Sequence, residues 1–171
     1  MTSVIQSVRA ITSSRNPLQS FLQSSFSLDE LLAGAESDAQ RVILLKVASL
    51  ERFNQRDYAA AAELCRRAYD VNEDFESLKN YAFIACQSGP GELLRQANAY
   101  VETQLERQRE AAEVIALYDA LCEGWGRAGE IKKAADFGRR SLNAKDSTAG
   151  DSVAVLPRKR PEFDFYQPSR N

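Results

Sequence analysis

Among the residues of this chain that could do chemistry, the most informative type is one that is missing. The 171 residues include no histidine. That removes Ser-His-Asp and Cys-His nucleophilic catalysis, histidine-ligated zinc, and acid-base work by an imidazole. Carboxylate, lysine and tyrosine chemistry stays open in principle, yet no spacing gathers such groups into a recognisable catalytic site, and the chain is expected not to be an enzyme. The cysteines, Cys65, Cys86 and Cys122, are odd in number and widely spaced. Each falls on the apolar side of a helical pattern, so they read as small, reduced core residues. A metal site would want paired spacing such as C-x-x-C, which is missing, so neither a metal nor another cofactor is expected. Thiols of this kind suit a reducing compartment, and a cytoplasmic location follows as the expectation.

Charge narrows the field further. Lys and Arg total 22 against 24 Asp and Glu, a net charge of −2. A groove that follows phosphates needs a basic surplus, so nucleic acid is not expected as a partner. Apolar residues at 44% and charged ones at 27% suit a globular domain rather than a disordered chain. No apolar run reaches the roughly 18 residues of a transmembrane helix. Residues 1–28 stand apart: they hold no Asp or Glu, carry Arg9 and Arg15, and include eight serines. Val4, Ile5, Val8 and Ile11 fall there at helical spacing. Such a segment is either a loosely docked terminus or a leader of the organellar or bacterial export kind. Residues 1–26 are expected to be flexible or weakly helical.

The rest of the chain has helical periodicity up to about residue 145. Ser27-Leu28-Asp29-Glu30 has the form of a capping box, followed by a short helix that Gly34 should stop. A second start at Ser37-Asp38-Ala39-Gln40 leads into Val42, Leu45, Val47, Ala48, Leu50 and Phe53. After the polar corner Gln55-Arg56-Asp57, a stripe of Tyr58, Ala61, Leu64, Cys65, Ala68 and Val71 continues. Asn72-Glu73-Asp74 turns the chain into Leu78, Tyr81, Ala82, Ala85 and Cys86, and Gly89-Pro90-Gly91 is the strongest break. Three more stripes follow: Leu93 to Leu105, Ala112 to Trp125, and Ile131 to Leu142. Beyond about 146 the chain becomes small, polar and proline-containing, with Pro157, Pro161 and Pro168, and reads as a tail or linker over 147–171. Arg158-Lys159-Arg160 within it admits a nuclear signal as the lesser alternative. No segment alternates with a two-residue period. The fold class is all-α.

These helices recur. Asp57-Tyr58-x-x-Ala61 and Glu130-Ile131-x-x-Ala134 are matching corners, and Ala97 stands between them at a comparable interval. A small residue is needed there, because two antiparallel helices joined by a tight corner cross close to it. A single pair cannot bury its apolar faces, so pairs stack and share a core. Residues 42–146 thus resemble three degenerate units of the tetratricopeptide repeat family, whose pattern is W-x2-L-G-x2-Y, then A-x3-F and A, then P. Leu45, Ala48, Ser49, Ala61, Cys65 and Ala68 take those positions in the first unit. Tyr118, Leu121, Cys122, Trp125, Ala134, Gly138 and Ser141 take them in the third. The middle unit matches at Asn80, Tyr81, Ala82 and Gly89, then departs through an insertion before Ala97. The family's closing proline is absent, with Glu73 and Asp146 in its place. An irregular helical bundle without true repeats is the alternative.

The resemblance implies an α-α superhelix over 27–146 whose first helices line a concave groove for a peptide. Carried over by position, the groove residues are Lys46, Leu50, Phe53, Lys79, Asn80, Phe83, Gln87, Glu123 and Arg127, with Val47, Asn54, Asp119 and Ala120 beside them. Some relatives clamp a chaperone's terminal carboxylate through Lys and Asn. Here Leu50 and the acidic Asp119 stand where that clamp needs Asn and a cation, so that ligand is disfavoured. The expected function is protein–protein interaction, as a chaperone-like bacterial adaptor. The alternative is a non-catalytic repeat module of a larger, glycosyltransferase-like bacterial enzyme continuing beyond residue 171.

Overall fold

The computed structural model describes residues 3–89, 91–105 and 110–149. Among them the chain forms only helices: α1 Val4–Thr12, α2 Pro17–Leu22, α3 Leu28–Ala33, α4 Asp38–Asn54, α5 Tyr58–Asn72, α6 Phe75–Gln87, α7 Glu92–Leu105, α8 Ala111–Arg127 and α9 Ile131–Ala149. The fold class is all-α, with each helix packed against its neighbours. The start signals act locally as their chemistry dictates. Ser27 accepts from the Glu30 backbone N–H while Glu30 accepts from that of Ser27, the reciprocal capping box that the sequence presents at α3. Ser37, Asp57 and Asp74 cap α4, α5 and α6 through their side chains. Helix α9 runs to Ala149, three residues past the expected boundary at 146. The remainder of the tail, with its prolines and basic run, lies outside the described residues.

The acid-free N-terminal segment carries two helices and packs on the stack. Val8 and Ile11 of α1 are buried against Leu31, Ala35 and Leu44, so α1 to α3 cover the outer side of α4. Ser3 and Gln6 form a second capping box. Arg9 donates twice to Glu36, at 2.9 and 2.7 Å; the pair is exposed and adds little beside the burial. Gly34 ends α3 in an ordinary right-handed conformation. It is glycine for another reason: a Cβ there would meet Val4 Cγ1 at 2.5 Å.

From α4 onward the helices form antiparallel pairs; the main core runs through α5 to α9, with α6 in contact with α5, α7 and α8, while Val42, Leu45 and Ala48 of α4 pack with Leu64 and Ala68 of α5 in a cluster of their own. The pairs α4–α5 and α8–α9 repeat each other at an offset of 73 residues, as from Arg56 to Gly129. Asp57 N–H donates to the Arg52 carbonyl at 3.0 Å, and Glu130 N–H to the Trp125 carbonyl at 2.9 Å. Ala61 N–H donates to Asp57 and Ala134 N–H to Glu130, both at 3.0 Å. Arg56 and Gly129 both take the left-handed conformation, at φ 62° and 78°, which closes such a helix end by supplying donors to its free carbonyls. Inside the pairs the matching continues. Ser49 Oγ lies 2.8 Å from the Ala61 carbonyl and 3.0 Å from Cys65 Sγ. Its counterpart Cys122 has its Sγ 3.4 Å from where a Cβ on Gly138 would stand.

The middle pair keeps the first half of this pattern. Gly89, at φ 80°, ends α6 as Arg56 ends α4, 33 residues earlier. Ala97 follows Ala61 by 36, so three extra residues lie in the α6–α7 corner. Ala61 and Ala97 are fully buried, whereas Ala134 is half-buried beside Gly126. Helix α7 is anchored by tyrosines: Tyr69 donates to Gln104 at 3.1 Å in the core, Tyr100 donates to Asp70, and the Tyr100 ring meets Tyr69 and Tyr81 edge-on at 6.2 and 5.6 Å. It touches α8 only sparsely.

Candidate partner-binding face

Helices α4, α6 and α8 carry three stripes in register, half-buried at Lys46, Leu50, Lys79, Phe83, Gln87 and Glu123 and exposed at Asn54, Asp119 and Arg127. Residues 33 apart between α4 and α6, and 40 apart between α6 and α8, form rows: Lys46, Lys79 and Asp119; Leu50, Phe83 and Glu123; Asn54, Gln87 and Arg127. The register follows from the repeat corners, since the left-handed residues Arg56, Gly89 and Gly129 have the same spacing.

Among the expected groove residues, the structure brings together those of the lower rows. The Phe53 ring lies 6.3 Å from Phe83 and 5.6 Å from Tyr58. The Arg127 guanidinium stands 5.7 Å from the Phe83 ring centroid, donates to Gln87 Oε1 at 3.1 Å, and pairs with Glu123 one turn back. Phe53, Phe83, Gln87, Glu123 and Arg127 are therefore one contiguous cluster across three helices. Leu50 is half-buried one turn from Phe53. The two lysines do not join it. Lys46 reaches Asp74 at 3.3 Å and Lys79 reaches Glu76 at 2.8 Å, while Asp119 accepts from Ser141 at 2.6 Å and from Lys145 at about 3 Å. Each charge of the upper row is thus matched locally. Burial works against the Asp74 carboxylate, but hydrogen bonds from Ser77 and the Lys46 ammonium outweigh it and hold its pKa below the usual range.

The sharpest feature is on α6. Asn80 is 5% exposed and its Oδ1 has no hydrogen-bond partner; seven residues on, Gln87 Nε2 is also buried and unpartnered. With Phe83 between them, these residues share one side of the helix at i, i+3 and i+7. An unsatisfied buried polar atom costs on the order of 1–3 kcal/mol, and native structures hold few. The sequence marked Asn80 and Gln87 by position, but nothing in it told that their amides would be left unpaired.

Sequence reasoning missed the crossing that sets the spacing of the face. At Gly124 an added Cβ would fall 1.6 Å from Cys86 Sγ and 2.2 Å from Cys86 Cβ, so α6 and α8 approach backbone to side chain at this point. The signal was available: a glycine inside a strong helical pattern costs about 1 kcal/mol and usually has a packing reason. Two open clefts lie among residues outside the face. One of about 540 Å3 is bounded by α7, α8 and α9, and one of about 740 Å3 lies beside α2, α4 and α5. Among the described residues no group of carboxylates and cysteines is arranged to hold a metal, and no helix is long and apolar enough to cross a membrane.

The thiols are placed for packing. Burial pushes Cys65 up to about 11, moderated by the Ser49 hydroxyl, and burial with the nearby Glu123 charge pushes Cys86 up to about 12. A thiolate is the reactive form, so both are inert near neutrality. A thiol reagent at pH 8 should modify about one equivalent per native chain, at the half-buried Cys122, with Cys65 and Cys86 reacting only in denaturant. Peptide mapping reads the order, and early labelling of Cys65 would contradict it.

No family model matches the chain, and no curated protein or solved structure matches it either.

Proposed function

We propose that this protein is a polypeptide-binding module of tetratricopeptide-like design, whose α4–α6–α8 face receives an extended or helical segment of a partner protein and does no catalysis. The observation that carries the reading is the pair of unpaired amide atoms, Asn80 Oδ1 and Gln87 Nε2, buried on either side of the half-buried Phe83 along one side of α6, where a shift of the side chains on binding would bring them to a partner. Oδ1 lacks a donor and Nε2 lacks an acceptor, which are the two groups that every peptide unit offers. The rings of Phe53 and Phe83 supply apolar surface next to them. Because Lys46, Lys79 and Asp119 are matched within the chain, recognition relies on main-chain hydrogen bonds and ring packing more than on net charge, and a terminal carboxylate clamp is disfavoured. Cytoplasmic adaptor or chaperone-like work fits such a face, as does service as the repeat module of a larger bacterial enzyme.

The test is affinity capture with the full chain, identification of the captured protein, and titration of that purified partner. Replacing both Lys79 and Phe83 by Ala should weaken the partner about tenfold, the usual scale for losing a central aromatic anchor. Exposed control substitutions on α5, such as Arg67→Ala, should leave affinity unchanged. Equal affinity of the double variant and the wild type would remove the face from the interaction.

A further inference from the structure

The two most exposed large apolar side chains among the described residues are on one helix. Ile131 is 69% exposed and Leu142 59%, both on α9, with Ala135 exposed and Gly138 half-buried between them. Offsets of four, seven and eleven residues return to one side of a helix, so these four form a single outward stripe. The internal repeat shows what covers such a stripe. At the 73-residue offset its equivalents on α5 are Tyr58, Ala62, Cys65 and Tyr69, which belong to or pack against the main core. Ala62, Cys65 and Tyr69 are at most 2% exposed there, because α6 packs along α5 and Gln104 of α7 accepts from Tyr69. Helix α5 turns at Glu73 into α6, whereas α9 runs through the equivalent Asp146 to Ala149. The stripe that neighbouring helices cover on α5 is bare on α9.

We propose that a second copy of this chain covers it, with α9 packing antiparallel on α9 about a two-fold axis. The stripe is self-complementary. Ile131-x3-Ala135-x2-Gly138-x3-Leu142 has the same spacing from either end. In an antiparallel pair Ile131 therefore meets Leu142 of the other copy, and Ala135 meets Gly138, as a two-fold interface requires. The small residues at the centre let the two backbones approach, and the large ones close both ends. Residues 150–171 offer too little uninterrupted chain to replace α6: the longest run there without proline is 150–156, about half the 13 residues of α6. Charge opposes the pairing mildly. Lys132 and Arg139, both exposed, lie along one flank of the stripe, and antiparallel copies set them near each other. Arg139 is shared with Asp136 at 3.4 Å, and on the other flank Lys145 is matched by Asp119. Exposed charges contribute little and are screened by salt. One such helix pair buries on the order of 1,000 Å2 in total, the low end for a specific interface, which suits a reversible dimer with Kd on the order of 10 µM. None of the four stripe residues belongs to the α4–α6–α8 face.

Sedimentation equilibrium of the full chain from about 1 to 200 µM, a range that brackets the expected Kd, tests the proposal. The wild type should pass from monomer to dimer. The I131E/L142E variant changes two exposed positions, so its circular dichroism should match the wild type, yet it should stay monomeric, a weakening of about a hundredfold. Raising salt from about 50 to 500 mM should tighten the wild-type dimer, because its flanking charges are alike. Cross-linking reads the register in a Cys122→Ser background, serine being the residue at the equivalent Ser49. Mixed I131C and L142C chains should form a disulfide under mild oxidation. I131C alone should not, since antiparallel copies hold the two 131 positions eleven residues, or about 16 Å, apart, beyond a disulfide's reach. A wild type that stays monomeric at about 200 µM overturns the proposal, whether the chain's own tail or another protein covers the stripe. So does a dimer that I131E/L142E retains, one that loosens with salt, or one in which I131C links to itself in preference to L142C.

Discussion

Gly124→Ala should destabilise this protein by about 3 kcal/mol, the upper range for forcing an atom into a packed crossing. The single added carbon would stand 1.6 Å from Cys86 Sγ and 2.2 Å from Cys86 Cβ. Rotating the cysteine side chain moves Sγ away but cannot move Cβ, which is fixed to the α6 backbone. The helices must therefore separate, and they do so in the middle of the main core, where Leu117, Leu121, Tyr81, Ala82 and Ile84 are all buried. Urea denaturation measures the loss. The cause is checked by pairing the change with Cys86→Gly, which removes both offending atoms. Cys86→Gly alone is costly, through helix propensity and a cavity, yet the double variant should be more stable than the sum of the two single effects by 1 kcal/mol or more, on the order expected for residues in direct contact. Strict additivity would mean that the α6–α8 approach is not as close as the geometry has it. Function should follow the same spacing, because α6 and α8 carry Phe83, Gln87, Glu123 and Arg127 of the candidate face.

How far this arrangement could be read from the sequence depends on the range of the forces involved. Caps were legible because they are local: a serine or aspartate meets a backbone N–H three residues away whatever the rest of the chain does. Apolar stripes were legible for the same reason. The corners at Asp57 and Glu130 were matched by residue type, and their shared hydrogen bonds and left-handed residues follow from that match. Ala97 was paired with Ala61 and Ala134, but its corner has a different length, so its likeness is one of close packing more than of local geometry. Gly34 does end α3, as its place in the pattern indicates, but the contact that requires glycine there is with Val4, thirty residues earlier in the chain. The docking of α1 was hidden likewise, since four apolar residues at helical spacing do not say what they will face. Side-chain pairing across helices was least legible of all. Lys46 reads as a groove cation, and only the folded position of Asp74 reveals that it is already matched, whereas the Lys79–Glu76 pair lies within α6 at i, i+3 and is local.

The candidate face makes its own demand, one that separates a binding surface from a structural one. Asn80→Leu should stabilise the free protein and weaken the partner at once. Leucine has the branching and heavy-atom count of asparagine, though its methyl groups take more room, and it replaces an amide oxygen that is buried without a donor. Removing that unsatisfied group returns about 1 kcal/mol, at the low end of the usual 1–3 because the larger methyl groups of leucine must be fitted into a buried site. Helix propensity adds roughly 0.4 kcal/mol in the same direction, so a gain well above that figure identifies the unpaired oxygen as its source. Were the residue purely structural, selection for stability alone would favour the leucine, and holding the asparagine would serve nothing. If Oδ1 instead waits for a peptide N–H, the same change leaves that N–H buried in the complex without an acceptor. Such a loss weakens binding by about 1–3 kcal/mol, roughly tenfold to hundredfold. Thermal denaturation and titration of the purified partner read the two effects separately. A variant that is more stable and binds as well as before would strip the unpaired amide of its role in recognition, whereas opposite signs would show stability exchanged for recognition at this position.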